Sequence, residues 1–120
     1  MSTSPAPEPE PPITRVTLLD AYFEKAKRTD RVQIRRIEIP AGQAPGMHVH
    51  NGPVVGSIVA GSVTFQIDGE SASILGPGDV FYEPEDARIA RFDAGDHGVT
   101  FVAYYLLEAK QEPEIWFPPR

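Results

Sequence analysis

The sequence predicts an all-β domain of the sandwich, jelly-roll or small-barrel type. From residue 31 onward, short runs alternate apolar and polar residues at the two-residue period of a strand. Turn signals separate these runs: Pro40, Asn51-Gly52-Pro53, Asp68-Gly69, Gly76-Pro77-Gly78 and Pro84. About eight or nine short strands, with turns roughly every eight to ten residues, assemble into such folds.

The elements follow in order. Five of the 13 prolines fall in the first twelve residues, which lack apolar anchors. Residues 1–12 are therefore expected to be a disordered, polyproline-like tail. Thr17 to Lys27 is expected as a short helix or an irregular segment, because Leu19, Tyr22 or Phe23, and Ala26 fall at helical spacing and Thr17 with Asp20 resembles a capping box. Val32 and Ile34 share one parity and Ile37 and Ile39 the other, so a bulge or bend is expected near Arg35-Arg36. Met47 to His50 and Gly56 to Ala60 come next. Val63, Phe65 and Ile67 then mark a half-buried strand, and Asp68-Gly69 turns it back through Ser71 to Leu75. Val80 to Glu83 and Ile89 to Phe92 are the following strands, with a loop over Asp93 to Gly98. Val99 to Leu107 is apolar on both parities, as expected of a strand covered on both faces, the second cover being another subunit. Residues 113–120, with Trp116 and Phe117 among prolines, read as an extended arm packing on a partner or on its own barrel. The folded domain is then residues 13–112.

A net charge of −6 argues against broad nucleic-acid binding. Lys25, Lys27, Arg28, Arg31, Arg35 and Arg36 form a local basic cluster, interleaved with Glu24, Asp30 and Glu38 as on a solvated face. No stretch is long and apolar enough to span a bilayer as a helix, and no signal peptide is recognised. The absence of cysteine excludes disulfides and thiolate metal sites. A cytoplasmic protein is the expectation.

The chemistry concentrates at His48-Val49-His50. Two residues apart on a strand, both imidazoles face the same side, and neutral imidazole is both a transition-metal ligand and an acid/base group. No glycine-rich phosphate loop and no Gly-x-Ser-x-Gly nucleophile elbow occurs.

The set Pro45-Gly46, His48, His50, Gly61, then a hairpin, then Pro77-Gly78-Asp79-Val80 and Pro84 resembles the two motifs of the cupin family. The resemblance runs from residue 32 to about residue 107 and implies a double-stranded β-helix, the jelly-roll barrel. It implies a metal held by two histidines and a glutamate of the first motif and one histidine of the second. Here Val54 and Ile89 occupy the glutamate and second-motif histidine positions, leaving His48 and His50 as an incomplete metal pair. At most one weakly held divalent transition metal (Fe, Zn, Ni or Mn) is expected, completed by substrate or by Gln66, Tyr82, Glu83 or Asp93.

Metal-free acid/base use of the pair and a relic pair without chemistry are the other readings. Val54 and Ile89 beside the imidazoles would lower histidine pKa values by desolvation. His48, His50, Tyr82 and Glu83 are the candidate catalytic residues, in a pocket formed with Val54, Gln66, Ile89, Arg91 and Phe101. Arg88 and Arg91 could clamp a carboxylate but are expected at the surface. Asp79 is expected to cap its own turn, and His97 to be a solvated loop residue. The family includes isomerases, cyclases, lyases and dioxygenases as well as non-catalytic binding domains. A homodimer that binds, and transforms, a small organic metabolite is the resulting expectation, with no nucleic-acid or membrane partner. The alternative is a non-catalytic cupin that has lost its metal centre.

Overall fold

The computed structural model describes residues 4–119. It is an all-β jelly-roll-type fold of seven strands: β1 (Arg31–Ile39), β2 (Val49–His50), β3 (Val54–Ile67), β4 (Ser73–Leu75), β5 (Val80–Glu83), β6 (Ile89–Leu107) and β7 (Ile115–Trp116). All pairings are antiparallel. Strands β1, β6, β3 and β4 follow one another across the main sheet, and β5 also pairs with β3. The small sheet joins β2 to β7.

Two long strands organise everything else. The first half of β3 lies between β5 and the end of β6, and its second half lies between β4 and the start of β6. Register shifts between Ile58 and Ala60, and between Gly61 and Val63, bend the pair midway. Two glycines make the bend possible. Gly61 and Gly98 both have positive φ (75° each), and a Cβ on Gly61 would run into the Gly98 carbonyl. The sheet thereby curls around a core that includes Ile58, Val63, Phe81, Phe92 and Phe101.

Several sequence expectations change. The separate strands expected over Gly56–Ala60 and Val63–Ile67 are one strand, as are those over Ile89–Phe92 and Val99–Leu107. Residues 93–98 belong to β6: Asp93 and Ala94 pair with Thr64 and Val63, and residues 95–98 form the bulge that takes up the bend a loop was expected to make. No bulge occurs at Arg35-Arg36: β1 pairs with β6 without a register shift from Arg31 to Ile39. The parity change instead reflects Val32 and Ile34 facing outward, 52% and 61% exposed. No helix forms over residues 17–27, where the irregular alternative is what is seen, and none occurs among the described residues, so none is long and apolar enough to cross a membrane. The N-terminal segment leaves Leu18 and Leu19 exposed, so the helical spacing has no core surface on which to fold. Asp79 does cap its turn, its Oδ2 accepting from the Gly76 N–H at 2.9 Å.

Candidate metal centre

Short backbone pairings hold the two histidines. His48 exchanges both backbone hydrogen bonds with Ile89 at the start of β6 (3.1 and 2.8 Å). His50 lies opposite Ile115 of β7, and Val49 between them is buried on the other side. The expected same-face geometry follows, with ring centroids 5.1 Å apart and ring planes at 85°. His48 Nδ1 lies 2.8 Å from the Gly46 carbonyl. That oxygen can only accept, so Nδ1 carries the proton and Nε2 is left with its lone pair free.

The third group comes from β5. Phe81 and Glu83 face inward while Val80 and Tyr82 face outward, so Glu83 is only 3% exposed. Its Oε2 lies 2.5 Å from His50 Nε2 and 3.7 Å from His48 Nε2. Despite this closeness, the buried oxygen has no hydrogen-bond partner of acceptable geometry among the described residues. The donor atoms of His48, His50 and Glu83 all lie within 4.8 Å of one another. Two imidazole nitrogens and one carboxylate oxygen, converging without satisfying each other, fit a divalent transition metal. His48, His50 and Glu83 could hold such an ion, leaving further coordination positions open.

The charges fit the same picture. Burial by itself would push the His48 pKa down, as expected from the aliphatic neighbours. The Glu83 carboxylate and the Gly46 carbonyl outweigh it, and His48 stands above the ordinary 6.5. The expected fall is thus corrected by an anion that the motifs do not place there. Burial would conversely raise Glu83, but the two imidazoles hold it below its ordinary 4.5.

A cavity of about 160 Å³ adjoins these three side chains. Its walls are Ile37 and Ile39 of β1, Val54 of β3, and Phe81, Phe92 and Phe101. Pro45 and Ile115 complete the lining. Of the expected pocket residues, Val54 and Phe101 are therefore at the cavity. Ile89 is fully buried in the core beside His48 rather than in the cavity lining. Tyr82 is on the outer face, its ring 5.8 Å from that of Phe23, because alternation along β5 turns it away from Glu83.

Gln66, Arg88, Arg91 and Asp93 border a separate open depression with Met47 and Asp68. Gln66 and Arg91 are cross-strand partners on the face of β3 and β6 opposite Phe65 and Phe92, which removes both from the histidine cavity. His97 is exposed, on β6 rather than in a loop. Tyr105 and Ile115 were not anticipated. Tyr105 is 9% exposed, with its ring 6.4 Å from that of His50 and beneath the Arg35 guanidinium. Burial raises its pKa, further helped by Glu83 and opposed by Arg35. Its parity with Phe101 and Ala103 was the available signal.

Comparison with known proteins agrees with this architecture. The family model described as "Cupin domain" matches residues 35–96. No curated protein sequence matches the chain. Among solved structures, the DMSP lyase DddQ from Ruegeria pomeroyi DSS-3 is similar at a TM-score of 0.62 and 23% identity, covering 72% of this chain and 43% of that one. An oxalate oxidase in complex with the substrate analogue glycolate has a TM-score of 0.61 and 20% identity, covering 72% and 45%. A cupin-like protein from Thermotoga maritima has a TM-score of 0.60 and 22% identity, covering 69% and 62%. The chain thus spans less than half the length of the two enzymes. At these identities the likeness shows the fold.

Proposed function

The chain belongs to the cupin family, and from that premise we propose that it is a metal-dependent enzyme transforming a small organic metabolite in the cavity beside His48, His50 and Glu83. The observation that carries this reading is the inward-facing Glu83, whose buried oxygen meets two imidazole nitrogens and is satisfied by neither hydrogen-bond geometry. Three protein ligands with positions left open are the pattern of catalytic rather than structural sites. The reading of a cupin that has lost its metal centre rested on Val54 and Ile89, and Glu83 replaces one of the two missing donors.

A divalent ion (Fe, Zn, Ni or Mn) bound there would supply Lewis-acid polarisation of a substrate oxygen. The chain's own contribution is positional. The Gly46 carbonyl fixes the His48 tautomer, Glu83 neutralises part of the ionic charge, and the isoleucine and phenylalanine walls keep water from the reacting group. Lyase, isomerase, cyclase or dioxygenase chemistry is compatible with that arrangement. Metal analysis of untagged protein tests the reading. Stoichiometric metal that disappears in Glu83→Gln and His48→Ala is expected, and metal-free protein whose melting temperature ignores added metal would refute it.

The same protein is proposed to work as a homodimer through the outer face of its main sheet. There Ile34, Tyr104, Val55 and Tyr82 form one cross-strand row, and Val32 lies opposite Leu106. Val32, Ile34 and Tyr104 are exposed, which makes this an apolar surface suited to a second subunit.

A further inference from the structure

The cavity wall itself states a limit on the substrate. Among the described residues, every lining residue apart from His48, His50 and Glu83 is aliphatic, aromatic or proline, and no lysine or arginine lines the cavity. Arg35 is committed to the Gln33 side chain at 2.6 Å and to the face of Tyr105, and it does not line the cavity. Arg88 and Arg91 border the separate depression. A divalent ion with one carboxylate and two neutral imidazoles keeps a net charge of about +1, enough to compensate one anionic oxygen head. A second charge on the same ligand would be buried against phenylalanine and isoleucine with no counter-ion.

Size narrows the class further. A space of about 160 Å³ corresponds to roughly five waters, hence a ligand of roughly five to eight non-hydrogen atoms. Ile115 stands at the rim, 46% exposed yet part of the lining, and its backbone is tied to His50 through the β2–β7 pairing. We propose that the site takes a small monofunctional ligand, one metal-binding oxygen head on a short apolar body, and that Ile115 sets the length of that body. The inference rests on the metal reading above.

The test uses full-length protein loaded with cobalt(II), whose visible spectrum reports ligand entry, with the single Trp116 on β7 as a second probe. Butyrate and succinate are compared, two ligands of equal carbon count that differ by one carboxylate. Butyrate is expected to bind at least ~100-fold more tightly than succinate. In Ile115→Ala the preference is expected to move to hexanoate by ~10-fold, about the gain from burying two further methylenes. Ile115→Trp, filling the rim, is expected to weaken butyrate. Equal or tighter succinate binding, no binding of either acid, or a chain-length preference unmoved by both Ile115 variants overturns the inference while cobalt binding leaves the metal reading intact. A protein that takes up no cobalt defeats both, and that outcome is visible before any acid is added.

Discussion

Glu83 lies directly across from Val54 in the β3–β5 pairing. Val54 occupies the place where the first cupin motif would put a glutamate, and directly paired residues of an antiparallel ladder have neighbouring Cβ atoms on one face. Glu83 thus presents its carboxylate from the neighbouring strand, beside that place and on the same face. Glu83→Val should lower metal affinity by at least ~100-fold, more than the loss of an outer-shell partner. The double variant Val54→Glu/Glu83→Val, which returns the carboxylate to β3, should recover most of it. Isothermal titration with zinc on the metal-free proteins decides this, and a double variant no better than the single one counts against equivalence of the two positions.

The metal-free protein should show a stability maximum set by the same triad. Glu83 is held below 4.5, so its contribution is present above that pH and is lost as pH falls through the folded-state value. His48 is held above 6.5, so its contribution is present below that pH and is lost as pH rises through its own folded-state value. Both are complete between 4.5 and 6.5. They are one interaction seen from two sides and do not add. Melting temperatures measured with chelator across this range should fall on either side, and Glu83→Gln should flatten both limbs. Equal pH profiles for the two proteins would contradict the geometry.

The C-terminal arm depends on Asn51, next to His50. Asn51 Nδ2 donates to the Glu112 carbonyl at 2.9 Å, and its Oδ1 accepts from the Glu114 N–H at 3.0 Å. Arg31, from the basic cluster, adds donors to the Glu108, Ala109 and Gln111 carbonyls, so it acts as a strap. Asn51→Ala removes two hydrogen bonds, about 1–3 kcal/mol of local stability. Acrylamide should then quench Trp116 more strongly than in the parent protein. Unchanged quenching would show that the strand pairing alone holds the arm.

Phe92 joins Phe101, Phe81 and Phe65, with ring centroids 4.8, 5.1 and 6.1 Å away. It is 3% exposed and belongs to both the core and the cavity wall. Phe92→Ala should cost ~3–5 kcal/mol in urea unfolding. A loss below ~1 kcal/mol would mean that the cluster repacks around the missing ring.

Ile34, the exposed end of the outer apolar row, provides the test of the dimer. Ile34→Glu places a charge on that face without touching the core, so the protein should sediment as a monomer and keep its metal. A parent protein that is already monomeric, or a variant that still dimerises, would remove this face from consideration.

The residues by themselves determined the all-β class, the turns, the same-face histidine pair and the family resemblance, because each rests on local rules: strand period two, proline and glycine turns, and short motif spacing. Even there, local parity failed at Val32 and Ile34, where apolar residues face outward, and in the middle of β3 and β6, where bulges let two expected strands become one. The tertiary structure alone decided the site. Val80 to Glu83 is apolar on one parity and mixed on the other, so sequence could not say whether Tyr82 or Glu83 faces inward. Pairing with β3 settled it by putting Glu83 opposite Val54 and beside two histidines at the short strand β2. Which donors converge is a matter of register between strands far apart in sequence, and no local pattern encodes register.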